Sequence, residues 1–363
     1  MVGCRRALGG VRRHFFVSPA SKLSRRSTDH ELNWQTVVIG LLNPVRHRAA
    51  QTVPANLEYQ IVELKNGVRS VRSLKHAETF HPVVGPAVEA EALYVRQLCL
   101  PERLAAFPGE FVVWDVGLGA AANALTAIKS ISAQLDQVKC LRLFSFDQTT
   151  SALKFALAHS TELDFLGGYD AQAATLLDQG FVEFTSGKLR VQWQLCLGDF
   201  PALLSSGSVG RSSAGSVRQI GTLESSGAPL NREIPAPHAI LFDPHSPQKN
   251  PTMWTVPLFT RLFQSLDPQR SCALANYTRS TLARTSMLLG GFFVGVGHAT
   301  GEKEETTVAA NALDLIEEPL TRRWLERIMH SDSAEPLWEP VHIRAKLTPQ
   351  TIEKLCSHPQ FKL

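Results

Sequence analysis

The sequence predicts an α/β fold built on a mostly parallel β-sheet, closed by an antiparallel hairpin and preceded by a small N-terminal hairpin-and-helix extension. Three observations lead to this prediction. Apolar, strand-like segments alternate with helix-like segments from about residue 109 to 300, as they do in β-α-β units. Four of these strand-like segments end on an aspartate or on glycines. Residues 290–297, rich in Gly, Phe and Val, suit the closing hairpin.

The extension is predicted from two patterns. Residues 57–74 alternate between apolar and polar side chains across Asn66-Gly67, and Asn-Gly is the strongest short-range signal for a hairpin. Residues 85–106 have apolar side chains at helical spacing as far as Pro101, so we expect one helix there.

The first strand of the sheet leads into a glycine loop. Phe111–Leu125 predicts a buried strand, a turn with Gly117 and Gly119, and a helix. Glycines allow a sharp turn and the close approach of a nucleoside, although a tight turn without a ligand needs them too. The third glycine of a dinucleotide motif is replaced by Ala122, so that motif fits poorly. We assign to a cofactor the loop and the start of its helix: Asp115, Gly117, Gly119 and Asn123.

The next strands end on further acids. Cys140–Asp147 places a carboxylate where it could accept both ribose hydroxyl hydrogens, and Val191–Asp199 ends on Gly-Asp. His238–Asp243 then runs into Pro244, Pro247 and Pro251, which make a stiff loop. Each acid could instead cap a helix, a role that aspartate often fills. Taken together, the strand ends have the layout of class I, Rossmann-like S-adenosylmethionine-dependent methyltransferases, so Asp147 and Asp199 are assigned to the cofactor.

Several segments resemble the MnmC-type methyltransferases over roughly residues 57 to 310. They are Gly117–Gly119, Phe242–Pro244, Lys249–Thr255 and Gly301–Thr306, with Asn66-Gly67, Glu78–Pro82 and Gly85–Tyr94 upstream. The Lys-Asn-Pro-Thr-Met-Trp-Thr segment is the most specific of them. The resemblance implies S-adenosylmethionine as cofactor and methylation of the primary amine of 5-aminomethyl-2-thiouridine at the wobble position of tRNA.

That reaction assigns roles to the residues after the fourth strand. A methyl acceptor must be a neutral amine, and an aliphatic ammonium has a pKa of about 10. Asp243 is expected to hold the amine and help remove its proton, and His245 is the second candidate base. Each could also be a plain loop residue. The remaining assignments place Glu78 at the cofactor, Lys249 on a phosphate, Trp254 stacked on a base, and Asn250 and Lys303 at the acceptor.

The acceptor has alternatives. A small-molecule amine or another acceptor would suit the same fold, and a non-catalytic RNA-binding relative is a third class, which the intact Asp147, Asp199 and Asp243 oppose. The best-known members of the family also carry a flavin-binding oxidoreductase domain. No second glycine-rich start appears in the 363 residues, so we expect a separate enzyme to supply the aminomethyl-uridine precursor.

The positive charge lies at the N-terminus. Residues 1–28 contain seven Lys or Arg and no acid, and the rest of the chain has 30 basic and 33 acidic side chains, a balance of −3. That balance does not favour nucleic-acid binding. The basic segment has three open interpretations: a solvated disordered arm, an RNA-binding arm, or an organelle transit peptide.

Other features narrow the class of protein. The six cysteines are scattered without a C-x-x-C pair, so we expect reduced thiols, no metal site and a cytoplasmic location. No apolar run is long enough to span a membrane.

The predicted organisation has four parts. They are a basic tail (1–50), the extension (51–108), the methyltransferase domain (109–310) with a flexible Ser/Gly/Pro-rich insertion (205–237), and a C-terminal helix and tail (311–363). Within them we expect an extra helix and turn at 161–188, a helix at 250–266 and a helix containing Trp324.

Overall fold

A computed structural model describes residues 58–205, 234–301 and 304–362. The chain divides into two units, Met1–Asn56 and Leu57–Leu363, and all described residues belong to the second. The predicted basic tail, nearly all of the 205–237 insertion, and Lys303 therefore lie outside the described residues.

The N-terminal extension contains a three-stranded antiparallel sheet and a broken helix. Strands β1 (Tyr59–Glu63), β2 (Arg69–Ser73) and β3 (Glu78–Thr79) pair in that order. The turn between β1 and β2 contains Gly67 at φ +81°, as the Asn-Gly signal predicts. Helical residues follow in three segments: α1 (Pro86–Ala90), a π-helical turn (Glu91–Arg96) and α2 (Leu100–Ala106).

The remaining elements alternate along the chain around one eight-stranded sheet. They are β4 (Glu110–Val116), α3 (Ala122–Gln134), β5 (Lys139–Asp147), α4 (Ser151–Ala158), α5 (Asp170–Gln179), β6 (Phe181–Ser186), β7 (Leu189–Leu197), α6 (Phe200–Ser205), β8 (Ala239–Phe242), α7 (Val256–Gln264), β9 (Ala273–Asn276), α8 (Thr281–Leu289), β10 (Phe293–Gly297), β11 (Thr306–Ala310), α9 (Arg322–Ile328) and α10 (Pro349–Cys356).

The strand order of the large sheet is β10-β11-β9-β8-β4-β5-β7-β6. The five central strands are parallel. The β10/β11 hairpin closes one side antiparallel, and β6 pairs antiparallel with β7 on the other. This architecture confirms the predicted class I methyltransferase fold. Because the parallel strands share one direction, the ends of β4, β5, β7 and β8 meet at one edge.

Two predicted helices differ from the structure. The expected single helix at 85–106 is interrupted at Cys99, which has φ +48°, and a new helix starts with Pro101 in its first turn, a position that proline favours. The expected helix at 250–266 begins only at Val256, after a 3₁₀ turn at Pro251–Trp254. Thr255 caps it by accepting a hydrogen bond from the backbone N–H of Leu258.

The segment 161–188 is also more complex than predicted. It contains the expected helix, α5, but β6 follows it and pairs with β7 over its whole length. Its alternating Phe181–Ser186 sequence has a buried Val182 between half-buried and exposed neighbours, which is the pattern of an edge strand and was not identified. The C-terminal part contains the predicted helix with Trp324 and a further helix, α10.

Cysteines are not paired in the described ranges. Cys196 and Cys272 are buried, and burial raises the pKa of both thiols to about 12. Cys140 lies in β5 but is only half-buried, and Cys272 directly precedes β9. Within the same ranges, no three His, Cys, Asp or Glu side chains are grouped as metal ligands, and no helix has the length and apolarity to cross a bilayer.

Candidate active site

A cavity of about 670 Å³ opens at the carboxyl ends of β4, β5 and β8. Its walls come from the glycine loop, the ends of these strands, the loop after β8, and the extension from β2 to α1. This volume lies in the range of small-molecule sites. The cavity therefore lies where the predicted site residues were expected to meet, and the extension adds a wall to it.

Gly117 brings the glycine loop and the Asp243 loop together. Its φ is +99°, and a Cβ at this position would lie 2.6 Å from the backbone oxygen of Asp243. The backbone N–H of Asp243 in turn donates to Val116 at 2.8 Å. The chain can pass this point only with glycine, so Gly117 fixes the distance between the two loops.

Asp147 organises the other side of the glycine loop. Its carboxylate accepts hydrogen bonds from the backbone N–H groups of Gly119 at 3.0 Å and Thr149 at 3.2 Å. Burial raises the pKa of this carboxyl, and the backbone hydrogen bonds oppose that shift. Asp147 also lines the cavity, so a ligand bound there can reach its carboxylate.

Asp243 stands at the cavity wall with its carboxylate oriented by two neighbours. The side-chain amide of Asn123 donates to Oδ2 at 2.7 Å. Nε2 of His81 lies 3.8 Å from the same oxygen. The Asp243 side chain is 18% exposed, so a ligand in the cavity can contact it. Asn123, assigned to the cofactor from the sequence, thus lines the cavity and also positions Asp243, the aspartate predicted to help remove the amine proton.

His245 and Glu78 form a second polar group on the cavity wall. Glu78 accepts a hydrogen bond from the Ser246 hydroxyl and lies 3.1 Å from Nδ1 of His245. The ring of His76 stacks on His245 with centroids 4.1 Å apart. Burial and the neighbouring His245 lower the pKa of His76. The contact with Glu78 orients His245 and joins the extension to the loop after β8.

The structure corrects the prediction for Trp254. Its residue exposure is 0%, and its indole N–H donates to the His245 carbonyl at 2.9 Å. The ring packs edge-on against Phe242, with centroids 5.4 Å apart. Trp254 therefore packs in the core beneath the loop after β8 and is not available to stack on a base.

The structure also corrects the prediction for Asp115. This residue is fully buried at 0% exposure and does not line the cavity. It accepts a hydrogen bond from Ser145 at 2.8 Å, and Trp193 donates to the same Ser145 hydroxyl at 2.9 Å. Burial raises the pKa of Asp115 to about 7. Asp115 belongs to the sheet interior behind the site.

The other assigned residues lie at or beyond the rim. Asp199 is exposed and accepts from the backbone N–H of Ala202 at 3.2 Å, so it caps α6, while its neighbours Gly198 and Phe200 line the cavity. Asn250 lines the cavity, whereas Lys249 is exposed outside the wall.

Sequence reasoning missed four polar residues at the site. His81, Glu89 and Tyr277 line the cavity. Burial, together with the neighbouring Asp243, raises the pKa of the fully buried Tyr94 well above its usual value. The Tyr277 hydroxyl donates to the Pro244 carbonyl at 2.9 Å. Three of the four lie in or beside the upstream motifs Glu78–Pro82 and Gly85–Tyr94, which were noted only as a resemblance. The approach of His81 and Tyr94 to Asp243 depends on the extension folding over the sheet edge.

The cavity fits a nucleoside cofactor. The glycine loop leaves room for close approach to the backbone, and Asp147 supplies a carboxylate at the end of β5. Asn123 has a buried side-chain oxygen without a hydrogen-bond partner among the described residues. A buried acceptor of this kind is normally satisfied, so it is available to a donor on a bound ligand.

The chain is similar to one family model and to solved structures of known proteins. Residues 231–312 match a family model described as S-adenosyl-L-methionine-dependent methyltransferase. The structure of MnmC2 from Aquifex aeolicus is similar in fold: TM-score 0.55, 19% identity, and coverage of 85% of this chain and 87% of that chain. A spermidine synthase in complex with the transition-state analogue AdoDATO aligns with a TM-score of 0.42, 11% identity, and coverage of 82% and 83%.

The family match, the parallel sheet and the glycine-loop cavity define the chain as an S-adenosylmethionine-dependent methyltransferase. The predicted enzyme class and cofactor are confirmed. Within that class, the structure of MnmC2 shares the fold of this chain over 85% of its length, in agreement with the resemblance drawn from the sequence motifs.

Proposed function

We propose that this enzyme methylates the 5-aminomethyl group of the wobble (thio)uridine of tRNA and gives 5-methylaminomethyl-2-thiouridine. The observation that carries the proposal is the position of Asp243. Its carboxylate faces the cavity beside the glycine loop and is held by the Asn123 amide at 2.7 Å. A fixed anionic acceptor at this point can bind the N–H groups of an aliphatic amine.

Features around Asp243 support a nucleotide as the carrier of that amine. Phe80 and Phe165 contribute aromatic surface to the cavity, and Arg72 and Lys75 contribute positive charge. Lys249 adds an exposed cation next to the wall. Unstacked RNA bases stack on aromatic side chains, and their phosphates bind cationic ones. The likeness to MnmC2 and the Lys249–Thr255 motif point in the same direction.

The roles of the site residues follow from these positions and form part of the proposal. Gly117, Gly119 and Asp147 bind the cofactor, which supplies a methyl group on a sulfonium sulfur when it is bound. Asn123 and Glu78 position Asp243 and His245, the two polar groups predicted after the fourth strand. The acceptor meets Asn250 inside the cavity, with Lys249 and Lys303 assigned to its outer part. We further propose the predicted domain boundaries, a cytoplasmic location, and a separate enzyme that supplies the aminomethyl precursor.

A transfer assay with labelled S-adenosylmethionine tests the function. The acceptors are bulk tRNA from cells lacking this gene and, separately, a panel of small amines. We expect label in the wobble uridine and a loss of at least about 100-fold in kcat for Asp243→Asn, which keeps the shape but removes the charge. The cofactor Kd of this variant is expected to stay within about threefold. Asp178→Asn, an exposed aspartate on α5, is the matched control and should behave as wild type.

The charge of the chain favours one second candidate. Outside residues 1–28, acidic side chains outnumber basic ones by three, which suits a small amine better than a polyanion. Label that enters only the small amines would establish this second function. Label in neither acceptor, with the cofactor bound, would refute both.

A further inference from the structure

We propose that His81 is the base that accepts the amine proton, with Glu89 holding its ring in the active tautomer; this deepens the proposed function and rests on it. The ring lies between two carboxylates. Nε2 is 3.8 Å from Oδ2 of Asp243, and Nδ1 is 3.9 Å from Oε2 of Glu89. The His81 side chain is only 9% exposed and Glu89 5%, while both residues line the cavity.

The gap between Asp243 and His81 has the size of a subsite for one nitrogen atom. At 3.8 Å the two atoms are too far apart for a direct hydrogen bond. A nitrogen placed beside both can reach each at ordinary hydrogen-bond distance. Asp243 then accepts one N–H of the acceptor, and Nε2 of His81 accepts another. For His245 the carboxylate beside the ring is Glu78, 3.1 Å from Nδ1, whereas the carboxylate beside Nε2 of His81 is Asp243.

The backbone at His81 is held in an unusual conformation. Its φ is +48°, a region that non-glycine residues seldom occupy and that commonly marks functional sites. Phe80, the preceding residue, is fixed to β2 from both sides: its N–H donates to Val71 at 2.8 Å and its carbonyl accepts from the Ser70 hydroxyl. On the other side Gly301 packs closely on Val83 and Val84. These contacts hold the imidazole at the cavity wall.

The charged and titratable groups around the ring are consistent with proton acceptance at Nε2. They are Glu89 from α1 and Asp243 from the loop after β8, with Tyr94 and Tyr277 next to those carboxylates. Both tyrosines have a pKa raised well above the usual value, chiefly by burial, so they stay neutral. The side chains of Asp243 and Glu89 lie on opposite sides of the ring, next to Nε2 and Nδ1 respectively.

The step balances in atoms and charge. An N–H bond of the acceptor ammonium breaks, and its proton goes to Nε2 of His81. The freed lone pair of the nitrogen forms the new N–CH₃ bond, and the electrons of the broken C–S bond remain on sulfur. The product is a secondary ammonium, and His81 then releases its proton to solvent through the open cavity.

The test removes the imidazole without changing the backbone. Glycine tolerates a positive φ, so His81→Gly should fold, keep cofactor affinity within about twofold and lose about 100-fold or more in kcat, the scale of general-base catalysis. Added imidazole should restore part of that activity. His81→Asn, which also tolerates this conformation, should be inactive without rescue. His342→Ala, an exposed histidine, is the control and should match wild type.

A second readout needs no acceptor. In ¹⁵N-histidine NMR spectra of the cofactor-bound enzyme, we expect His81 to carry its proton on Nδ1, towards Glu89, and Glu89→Gln should produce a mixture of tautomers. A wild-type kcat in His81→Gly, or a proton on Nε2 in the neutral ring, would overturn the proposal. Wild-type enzyme that methylates no tRNA would instead refute the proposed function, and the NMR result would still decide the role of His81.

Discussion

Three aspartates at strand ends occupy two different environments. Asp147 and Asp243 line the cavity, whereas Asp115 is buried behind it. The sequence placed all three at one sheet edge because each follows an apolar strand. It did not reveal that Asp115 points into the interior, because six of the seven residues of β4 are buried and a strand covered on both faces shows no alternation. Side-chain direction there depends on which helix covers which face.

Burial of Asp115 makes the stability of the fold depend on pH. Its pKa rises from 3.8 unfolded to about 7 folded, so between these values the folded chain binds more protons than the unfolded chain. The free energy of unfolding therefore falls as pH rises through this window, and the loss is complete above it. Asp115→Asn removes this dependence. We expect its free energy of unfolding, relative to wild type, to rise by a few kcal/mol, at most about 4, between pH 4.5 and 8.

Urea denaturation at a series of pH values measures this difference. Asp178→Asn, on the exposed face of α5, provides the control. The side-chain oxygen of asparagine can still accept the Ser145 hydrogen bond. Its NH₂ group has no such partner, but asparagine does not titrate, so this cost in stability is the same at every pH. A relative stability that does not change with pH would show that Asp115 is ionised in the fold.

Among the elements, the glycine loop and the helix after it, α3, were predicted correctly, whereas the helix expected at 85–106 and the one expected at 250–266 were not. Gly117 and Gly119 both have positive φ. Few residues other than glycine tolerate this conformation, so the local sequence alone can predict it. Pro101, Pro251 and Pro257 lie at the break after Cys99 and at the late start of α7. The apolar residues on both sides of these prolines follow helical spacing, which predicted longer, unbroken helices. Proline in a first helical turn starts a helix, and this local signal should have outweighed periodicity.

Gly117 gives a prediction for the loop as an element. In Gly117→Ala the Cβ would lie 2.6 Å from the Asp243 carbonyl at a φ of +99°, so both backbone strain and a steric clash follow. Gly168→Ala is the matched control, because its φ is +89° with nothing within 4 Å of the added atom. We expect Gly168→Ala to lose about 1 kcal/mol of stability with normal cofactor affinity.

Gly117→Ala should lose more, about 2 to 4 kcal/mol, and should weaken cofactor binding at least tenfold, since the loop must move away from Asp243. Thermal denaturation and calorimetric titration with S-adenosylmethionine measure the two effects. Equal losses in both variants would mean that strain alone acts and that the loops are not in contact.

At the scale of the whole molecule, the sequence predicted the parallel sheet and its ligand-binding edge but not how the sheet is enclosed. The extension supplies Glu78, His81 and Glu89 to the cavity, and the C-terminal segment covers the opposite side at β10. Both depend on contacts between residues far apart in the chain, such as His81 with Asp243. Periodicity and turn signals are local, so they identify elements and leave such contacts undetermined.

The C-terminal closure gives the last prediction. An edge strand presents unpaired backbone groups, and on β10 residues 318–320 and Gln360 pair with them. The Gln360 amide donates to the carbonyls of Val294 at 2.7 Å and Leu320 at 2.8 Å, and its oxygen accepts from the Val294 N–H at 2.8 Å. All three residues are buried. Gln360→Ala should therefore lower the free energy of unfolding by about 2 to 4 kcal/mol, because the buried Val294 N–H loses its hydrogen bond to the Gln360 side chain.

The cavity lies several strands away from β10 in the sheet order, so the cofactor Kd of Gln360→Ala should equal that of wild type at temperatures where both are folded. Gln350→Ala, an exposed glutamine on α10, controls for the loss of the side chain itself and should change stability by less than about 0.5 kcal/mol. Urea denaturation and cofactor titration provide the measurements. If Gln360→Ala were as stable as wild type, the C-terminal segment would not be part of the cooperative fold, and its cover over β10 would open without unfolding the sheet.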